Sequence, residues 1–88
     1  MTSRNKASMD FRIGQRIRHA RIDASITQQE LGDLLGRSSQ QVHKYEQGTN
    51  RVSAGTLFTI AQALGRSMDW FFLDELPLDN AFDAAWVH

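Results

Sequence analysis

The stretch TQQELGDLLGRSSQQVHKYEQG, residues 27–48, encodes two short helices with a sharp turn between them. Thr27 and Glu30 have the spacing of a capping box, in which each side chain bonds the backbone N–H of the other residue at the start of a helix. Gly36 predicts the end of that helix, because glycine adopts the left-handed backbone conformation at little cost. Ser38 opens a second capping pattern, S-x-x-Q, directly after this stop. The corner between the two helices is therefore encoded locally.

The second of these helices has an apolar face and a polar face. With Val42 at the centre of the inward side, the same side also holds Ser39, Tyr45 and Glu46. The outward side is polar and consists of Gln40, Lys44 and Gln47, with His43 on its flank. Glutamine can pair with adenine through two hydrogen bonds, and lysine reaches guanine acceptors or phosphate. An ordinary solvated face is also polar, so this pattern indicates a DNA-binding surface only in combination with the helix-turn-helix spacing around it.

Similar stop and start signals divide the rest of the chain into helices. An amphipathic helix is predicted over residues 10–24 with Ile17 at the centre of its buried face, and another is predicted between Ser53 and Gly65. The helix that begins at Thr27 is expected to bury Leu31, Leu34 and Leu35. The segment SMDWFFL is predicted as a fifth short element, and LDNAFDAAW as a possible short sixth helix.

These elements predict an all-α fold, a compact five-helix domain, because neither strand-like alternation nor an internal repeat is visible. The domain is expected to occupy residues 10–73. Residues 1–9 form a flexible basic arm in this interpretation, and residues 74–88 form an acidic, apolar tail.

Composition limits the possible functions. A chain of 88 residues fits one small domain with a modest core. It contains no cysteine and no apolar run long enough to span a membrane, which predicts a soluble, cytoplasmic protein. The net charge is zero, but residues 1–24 hold six basic and two acidic side chains, whereas residues 52–88 hold one basic and five acidic side chains. Such a chain can present a basic face to phosphates.

Catalysis and metal binding are not expected. The three histidines, at positions 19, 43 and 88, do not have the spacing of metal ligands, and no phosphate-binding glycine motif or nucleophile-base set is present. We therefore predict no enzymatic activity, no catalytic residue, no metal and no cofactor.

The stretch from Ile13 to Phe72 resembles the phage-repressor and Cro type of helix-turn-helix domain, the XRE family. The segments that carry the resemblance are ITQQELGDLLG, SSQQVHKYEQG and IAQALGRSMDWFF. The resemblance implies a repressor-like transcriptional regulator that binds double-stranded DNA in a sequence-specific manner. Two positions depart from the family pattern: Gly32 stands where alanine is commoner, and Arg66 stands where an apolar residue usually packs.

The resemblance also implies roles for individual residues. Base edges are expected to be contacted by Ser39, Gln40, Lys44 and the neighbouring His43. Phosphate contacts are expected from Gln28, Ser38, Gln47, Asn50 and Arg51. A structural salt bridge is expected between Arg21 and Glu46, because an unpaired buried carboxylate is costly.

The C-terminal part contains more apolar bulk than a small core easily hides, in Trp70, Phe71, Phe72, Phe82 and Trp86. Two interpretations compete. This surface either forms the twofold contact of a homodimer on a palindromic operator, or captures a different protein, as antitoxin members of the family do. The homodimer is favoured, because two recognition helices can contact half-sites roughly 34 Å apart.

Overall fold

The computed structural model describes residues 8–75, which form four α-helices and one 3-10 helix. The elements are α1 (Met9–Asp23), α2 (Gln28–Leu35), α3 (Ser39–Gln47), α4 (Ala54–Leu64) and the 3-10 helix η1 (Met68–Glu75). No strand occurs in this part of the chain, so the predicted all-α fold of five helices is confirmed. The predicted sixth helix, residues 1–7 of the predicted basic arm, Phe82 and Trp86 lie outside the described residues. Met9, which the prediction placed in that arm, begins α1, and Ser8 is the N-cap. No helix between residues 8 and 75 has the length and apolar character needed to cross a bilayer.

The predicted corner between α2 and α3 is present. The Thr27 hydroxyl accepts from the Glu30 N–H at 3.0 Å, and the Glu30 carboxylate accepts from the Thr27 N–H at 2.8 Å. Gly36 ends α2 in the left-handed region with φ 70°, and the Ser38 hydroxyl then accepts from the Gln41 N–H at 3.0 Å. Three residues, 36–38, therefore connect the two helices. Backbone N–H groups of Gly36 and Arg37 cap the end of α2, and the Ser38 hydroxyl caps the start of α3.

The core lies where the helices meet, and its fully buried side chains are Ile17, Leu31, Val42, Ile60 and Phe71. The prediction that Leu34 belongs to the buried stripe of α2 is wrong, since that side chain is 60% exposed. Leu34 lies about 60° around the helix from Leu31 and about 100° from Leu35, which places it beyond the face that packs on the core. Leu35 is partly buried against the core, as predicted.

Helices α1 and α3 approach each other at Gly14. A Cβ atom at this position would overlap the carbonyl oxygen of Tyr45 and lie 2.6 Å from that of Glu46. The neighbouring Gln15 donates from Nε2 to the Glu46 carbonyl at 3.0 Å. Only glycine allows this approach, which sets the position of α3 against α1. The sequence signal for this approach is a glycine in the middle of a predicted helix.

Gly32 has a comparable role in the turn. A Cβ atom at Gly32 would lie 2.6 Å from the Arg37 carbonyl oxygen, and the Arg37 N–H donates to the Gly32 carbonyl at 2.8 Å. Alanine, the residue expected here from the family resemblance, would therefore require the turn to shift.

The other departure, Arg66, is accommodated by Trp70. The guanidinium groups of Arg16 and Arg66 stack on the Trp70 ring, with Cζ atoms 3.8 and 4.1 Å from its centroid. Arg66 also donates from Nη2 to the Asp23 carboxylate at 2.8 Å, and Arg16 donates to the Trp70 carbonyl oxygen from Nη2 at 2.7 Å. Cation-π stacking and a charged hydrogen bond replace apolar packing at this position.

These contacts correct part of the predicted dimer or partner surface. Phe71 is fully buried and packs edge-on against Trp70, with ring centroids 5.1 Å apart. The expectation that Phe71 contacts another molecule is wrong, because its side chain belongs to the core. Trp70 is half-buried and already stacked by two arginines of its own domain. Phe72, at 39%, is the most exposed residue of the predicted set within the described region.

Candidate nucleic-acid interface

The interface is built on a buried ion pair that holds α3. The Glu46 side chain has 0% exposure, and its carboxylate accepts from Arg21 Nε at 2.6 Å and from Arg21 Nη2 at 3.1 Å. Arg21 also donates from Nη1 to the Ile26 carbonyl at 3.0 Å. A guanidinium bound at both ends in this way has little freedom, so the end of α1, the α1–α2 turn and α3 are joined as one unit.

Gln28 extends this unit to α2. From the first turn of α2, its Nε2 donates to Glu46 Oε1 at 3.0 Å and lies 3.4 Å from His43 Nδ1. The buried Glu46 carboxylate therefore has donors from two other helices. This contact explains how a helix of nine residues, which is too short to persist alone, keeps a defined orientation.

The outward face of α3 is open. The side chains of Gln40, His43, Lys44 and Gln47 are all exposed. Gln28, Ser39, Gln40, His43 and Lys44 together line a surface depression of about 280 Å³. Five of the predicted contact residues thus lie at one place on the surface. Ser39 also lines this depression, but its side chain is half-buried. It is therefore less exposed than Gln40, His43 and Lys44, the other predicted base contacts.

The predicted phosphate contacts divide into two groups. Gln28 and Ser38 lie at the beginnings of α2 and α3, where free backbone N–H groups and the helix dipole favour an anion. Asn50 and Arg51 follow the C-terminal end of α3, beyond the exposed Gln47. Ser38 therefore lies at the N-terminal end of α3, and Asn50 and Arg51 lie beyond its C-terminal end. Gln28 lies beside α3, where it contacts His43 and Glu46.

Arg51 has an intramolecular partner that sequence reasoning did not identify. Its Nε atom lies 3.3 Å from both carboxylate oxygens of Asp10, in the first turn of α1. The Arg51 side chain is 82% exposed and the Asp10 side chain 28% exposed. Only Nε is engaged among the described contacts, so the two terminal nitrogens of Arg51 face solvent while Asp10 holds the group near α1.

Among the described residues, no group of three His, Asp or Glu side chains is arranged to hold a metal ion. The chemistry that this surface offers is hydrogen bonding by amides and imidazole together with positive charge. Those are the functional groups that recognise base edges and phosphates.

Comparison with protein families gives a match to the helix-turn-helix family over residues 17–71. A transcriptional regulator in the ATPase CF(0) region of Rhodospirillum rubrum is 41% identical over 78 residues, which cover 89% of this chain and 72% of the relative. The HTH-type transcriptional regulator y4wC of Sinorhizobium fredii is 44% identical over 75 residues, 85% of this chain and 52% of the relative. The chain therefore spans about half to three quarters of the length of these relatives.

Solved structures show the same fold. The clp gene regulator ClgR from Corynebacterium glutamicum superimposes with a TM-score of 0.74 over 83% of this chain and 99% of that one, at 24% identity. The P22 c2 repressor, solved in complex with synthetic operator 9T, gives a TM-score of 0.62 over 67% of this chain and 89% of the repressor, at 29% identity.

Proposed function

The chain belongs to the phage-repressor and Cro type of the helix-turn-helix family, and from that premise we propose that it is a transcriptional regulator that reads a specific sequence in double-stranded DNA. In this proposal α3 enters the major groove, α2 lies across the backbone, and two copies bind a palindromic operator. The regulator acts as a repressor, by analogy with the P22 c2 repressor. Its site of action is the compartment that holds the DNA, which in bacteria is the cytoplasm.

One observation carries the proposal. Gln40 and Lys44 are exposed on the outward face of α3, one helical turn apart, and their side chains form no hydrogen bond within the described part of the chain. Because Arg21, Gln28 and Glu46 hold the helix from behind, these groups are presented from a rigid support. Rigid presentation lowers the entropic cost of contacting base edges, which a merely solvated face does not require.

The homodimer is proposed because the surface of one copy that can contact DNA bases is small. One helix of nine residues reads few base pairs, and a second copy doubles the number of base contacts. The domain has apolar side chains available for such a contact, since Phe58 on α4 is 52% exposed and Phe72 is 39% exposed. A twofold contact in solution places two copies of α3 on successive turns of the same DNA face.

Selection of bound sequences from a random duplex pool tests the function. We expect enrichment of a palindrome with half-sites separated by about one helical turn, roughly 34 Å. Enrichment of a single half-site would retain sequence-specific binding and contradict the dimer. No enrichment at all, together with stoichiometric binding of a different protein, would replace the proposal by a protein-interaction module.

Sedimentation of the chain with residues 77–88 deleted tests whether the C-terminal tail forms the contact between copies. A lower dimer fraction would assign the tail to the contact between copies. An unchanged dimer would leave that contact to the described domain.

A further inference from the structure

Arg37 is a cation in the helix-turn-helix whose side chain has no partner among the side chains that the structure describes. It lies in the turn between α2 and α3, one residue before the N-cap Ser38, and its side chain is exposed. The Arg37 side chain forms no hydrogen bond, ion pair or aromatic contact with any side chain of residues 8–73. By contrast, the Arg21 side chain on α1 is only 11% exposed and forms an ion pair with Glu46.

The nearest acidic residues in sequence are engaged elsewhere. Asp33, four residues before Arg37, accepts from Gln29 Nε2 at 3.1 Å and forms no ion pair with Arg37. The Glu30 carboxylate accepts from the Thr27 N–H at 2.8 Å in the capping box. Neither carboxylate neutralises Arg37, so its charge is available to a ligand.

The backbone that carries Arg37 is held firmly. Its N–H donates to the Gly32 carbonyl at 2.8 Å, and its own carbonyl oxygen packs so closely on Gly32 that a Cβ there would lie 2.6 Å away. The side chain therefore starts from a fixed point at the N-terminal end of α3. Only its rotamers must be ordered when it binds a partner.

Arg37 and Arg51 lie beyond opposite ends of α3. The nine residues of α3 span about 13 Å at 1.5 Å per residue, and the major groove of B-DNA is about 12 Å wide. A helix of this length, seated in the groove, brings groups beyond its two ends toward the phosphate backbones that border the groove. Lys44, between them, projects from the outward face of the helix itself.

We propose that Arg37 contacts a backbone phosphate of the bound DNA at the end of α3 opposite to Arg51. The inference rests on the proposed DNA-binding function and adds a residue to it. A phosphate is assigned and not a base edge, because Arg37 precedes the N-cap Ser38 and so lies outside the helix that presents Gln40 and Lys44. The planar guanidinium binds phosphate through two parallel hydrogen bonds, and the nearby helix N-terminus favours the same anion.

The test is the salt dependence of binding. Each phosphate neutralised by a cation contributes about 0.9 to the slope of log K against log salt concentration. Fluorescence anisotropy with a labelled operator duplex, between 50 and 200 mM salt, measures this slope for wild type, R37Q, R51Q and the double variant. We expect each single variant to flatten the slope by about 0.9 and the double variant by about 1.8. Over this fourfold range of salt, the fold-loss of affinity of each single variant should then be smaller than that of wild type by a factor of roughly 3.5.

Two controls make the result specific. R37K retains the charge, so its slope should stay at the wild-type value if the contact is with phosphate. A random duplex should show the same flattening for R37Q, because phosphates carry no sequence information. Circular dichroism should show an unchanged fold, since the side chain is exposed.

The outcomes separate the inference from the function on which it rests. A wild-type slope for R37Q, with a flattened slope for R51Q, overturns the phosphate contact and leaves the regulator intact. A loss confined to the operator that R37K does not rescue also overturns it, in favour of a base contact. Failure of the wild-type protein to bind any duplex contradicts the proposed function itself.

Discussion

The Arg21 guanidinium donates two hydrogen bonds to the fully buried Glu46 carboxylate, at 2.6 and 3.1 Å. The two residues are 25 positions apart, on α1 and α3. Because Glu46 also accepts from Gln28 on α2, one carboxylate fixes the relative positions of three helices. The orientation of α3, and with it the direction of Gln40 and Lys44, depends on this pair.

Replacing Arg21 with alanine should destabilise the domain strongly. The substitution leaves Glu46 buried without its cation, and breaking a buried pair in this way costs about 3–5 kcal/mol. Urea unfolding measures the loss, and Asp10→Asn is the control, because the exposed pair with Arg51 contributes no more than about 1 kcal/mol. The double variant R21M/E46L should lose less than R21A alone. A loss for R21A as small as that of the control would contradict the structural role of the pair.

Replacing Gly14 with alanine should also destabilise the domain, because the added Cβ overlaps the Tyr45 carbonyl and forces α1 away from α3. Such overpacking costs about 1–3 kcal/mol. Gly55 is the matched control: it lies in α4 and an added Cβ meets nothing within 4 Å. Gly55→Ala should therefore raise stability by about 0.5–1 kcal/mol. Thermal unfolding of both variants measures the difference, and effects of the same sign would argue against the close approach.

Replacing Gln40 with alanine should remove sequence preference more than affinity. We expect a loss of about 1–3 kcal/mol on the selected operator and little change on random duplex, because only the operator pairs with the amide. Gln62, an exposed glutamine on α4, is the control, and Gln62→Ala should leave both affinities unchanged. Equal losses for Q40A on both duplexes would exclude Gln40 from base recognition.

Replacing Asp10 with asparagine should strengthen binding to every duplex. The change removes a carboxylate that engages Arg51 Nε at 3.3 Å and that repels phosphate. We expect a gain of a few-fold at low salt, declining as salt screens the charges. In an Arg51→Ala background the gain should be smaller, and a double-mutant cycle measures the difference. An identical gain in both backgrounds would show that Asp10 acts without Arg51.

Replacing Phe58 or Phe72 with serine should weaken association between copies. Each ring is about half exposed, so it can contribute only about half of the 1.5–3 kcal/mol of full burial, but the substitution removes it from both copies. The total loss of about 1.5–3 kcal/mol corresponds to a dimer dissociation constant roughly ten- to 100-fold higher. Sedimentation equilibrium measures this constant. Leu34→Ser is the control, since Leu34 is 60% exposed but lies on α2. A dimer weakened only by L34S would place the contact on the α2 side of the domain.

Sequence patterns predicted the helices well because the signals that begin and end them are local. Thr27 and Glu30 are three residues apart, and so are Ser38 and Gln41, so each capping contact forms within one turn whatever the rest of the chain does. The polar face of α3 was visible for the same reason, because its residues recur within two turns. The ion pair of Arg21 with Glu46 came from the family resemblance combined with the cost of a buried carboxylate.

Helix periodicity was less successful at predicting which apolar side chains at the border of a helix face are buried. It assigned Leu34 to the core together with Leu31, although the two side chains diverge and no described element covers Leu34. The amount of apolar bulk in the C-terminal part likewise predicted one exposed group that included Trp70, Phe71 and Phe72. Phe71 is core, and Trp70 is stacked by Arg16, which is 54 positions earlier.

By itself, the sequence determined where the chain turns and which groups the recognition helix carries, because capping and periodicity act between residues within a few positions of each other. Tertiary structure alone decided that α3 packs closely on α1 at Gly14, that Asp10 pairs with Arg51 and that two arginines stack on Trp70. Those contacts join residues more than 30 positions apart, except the one from Arg66, and they depend on how closely the helices pack.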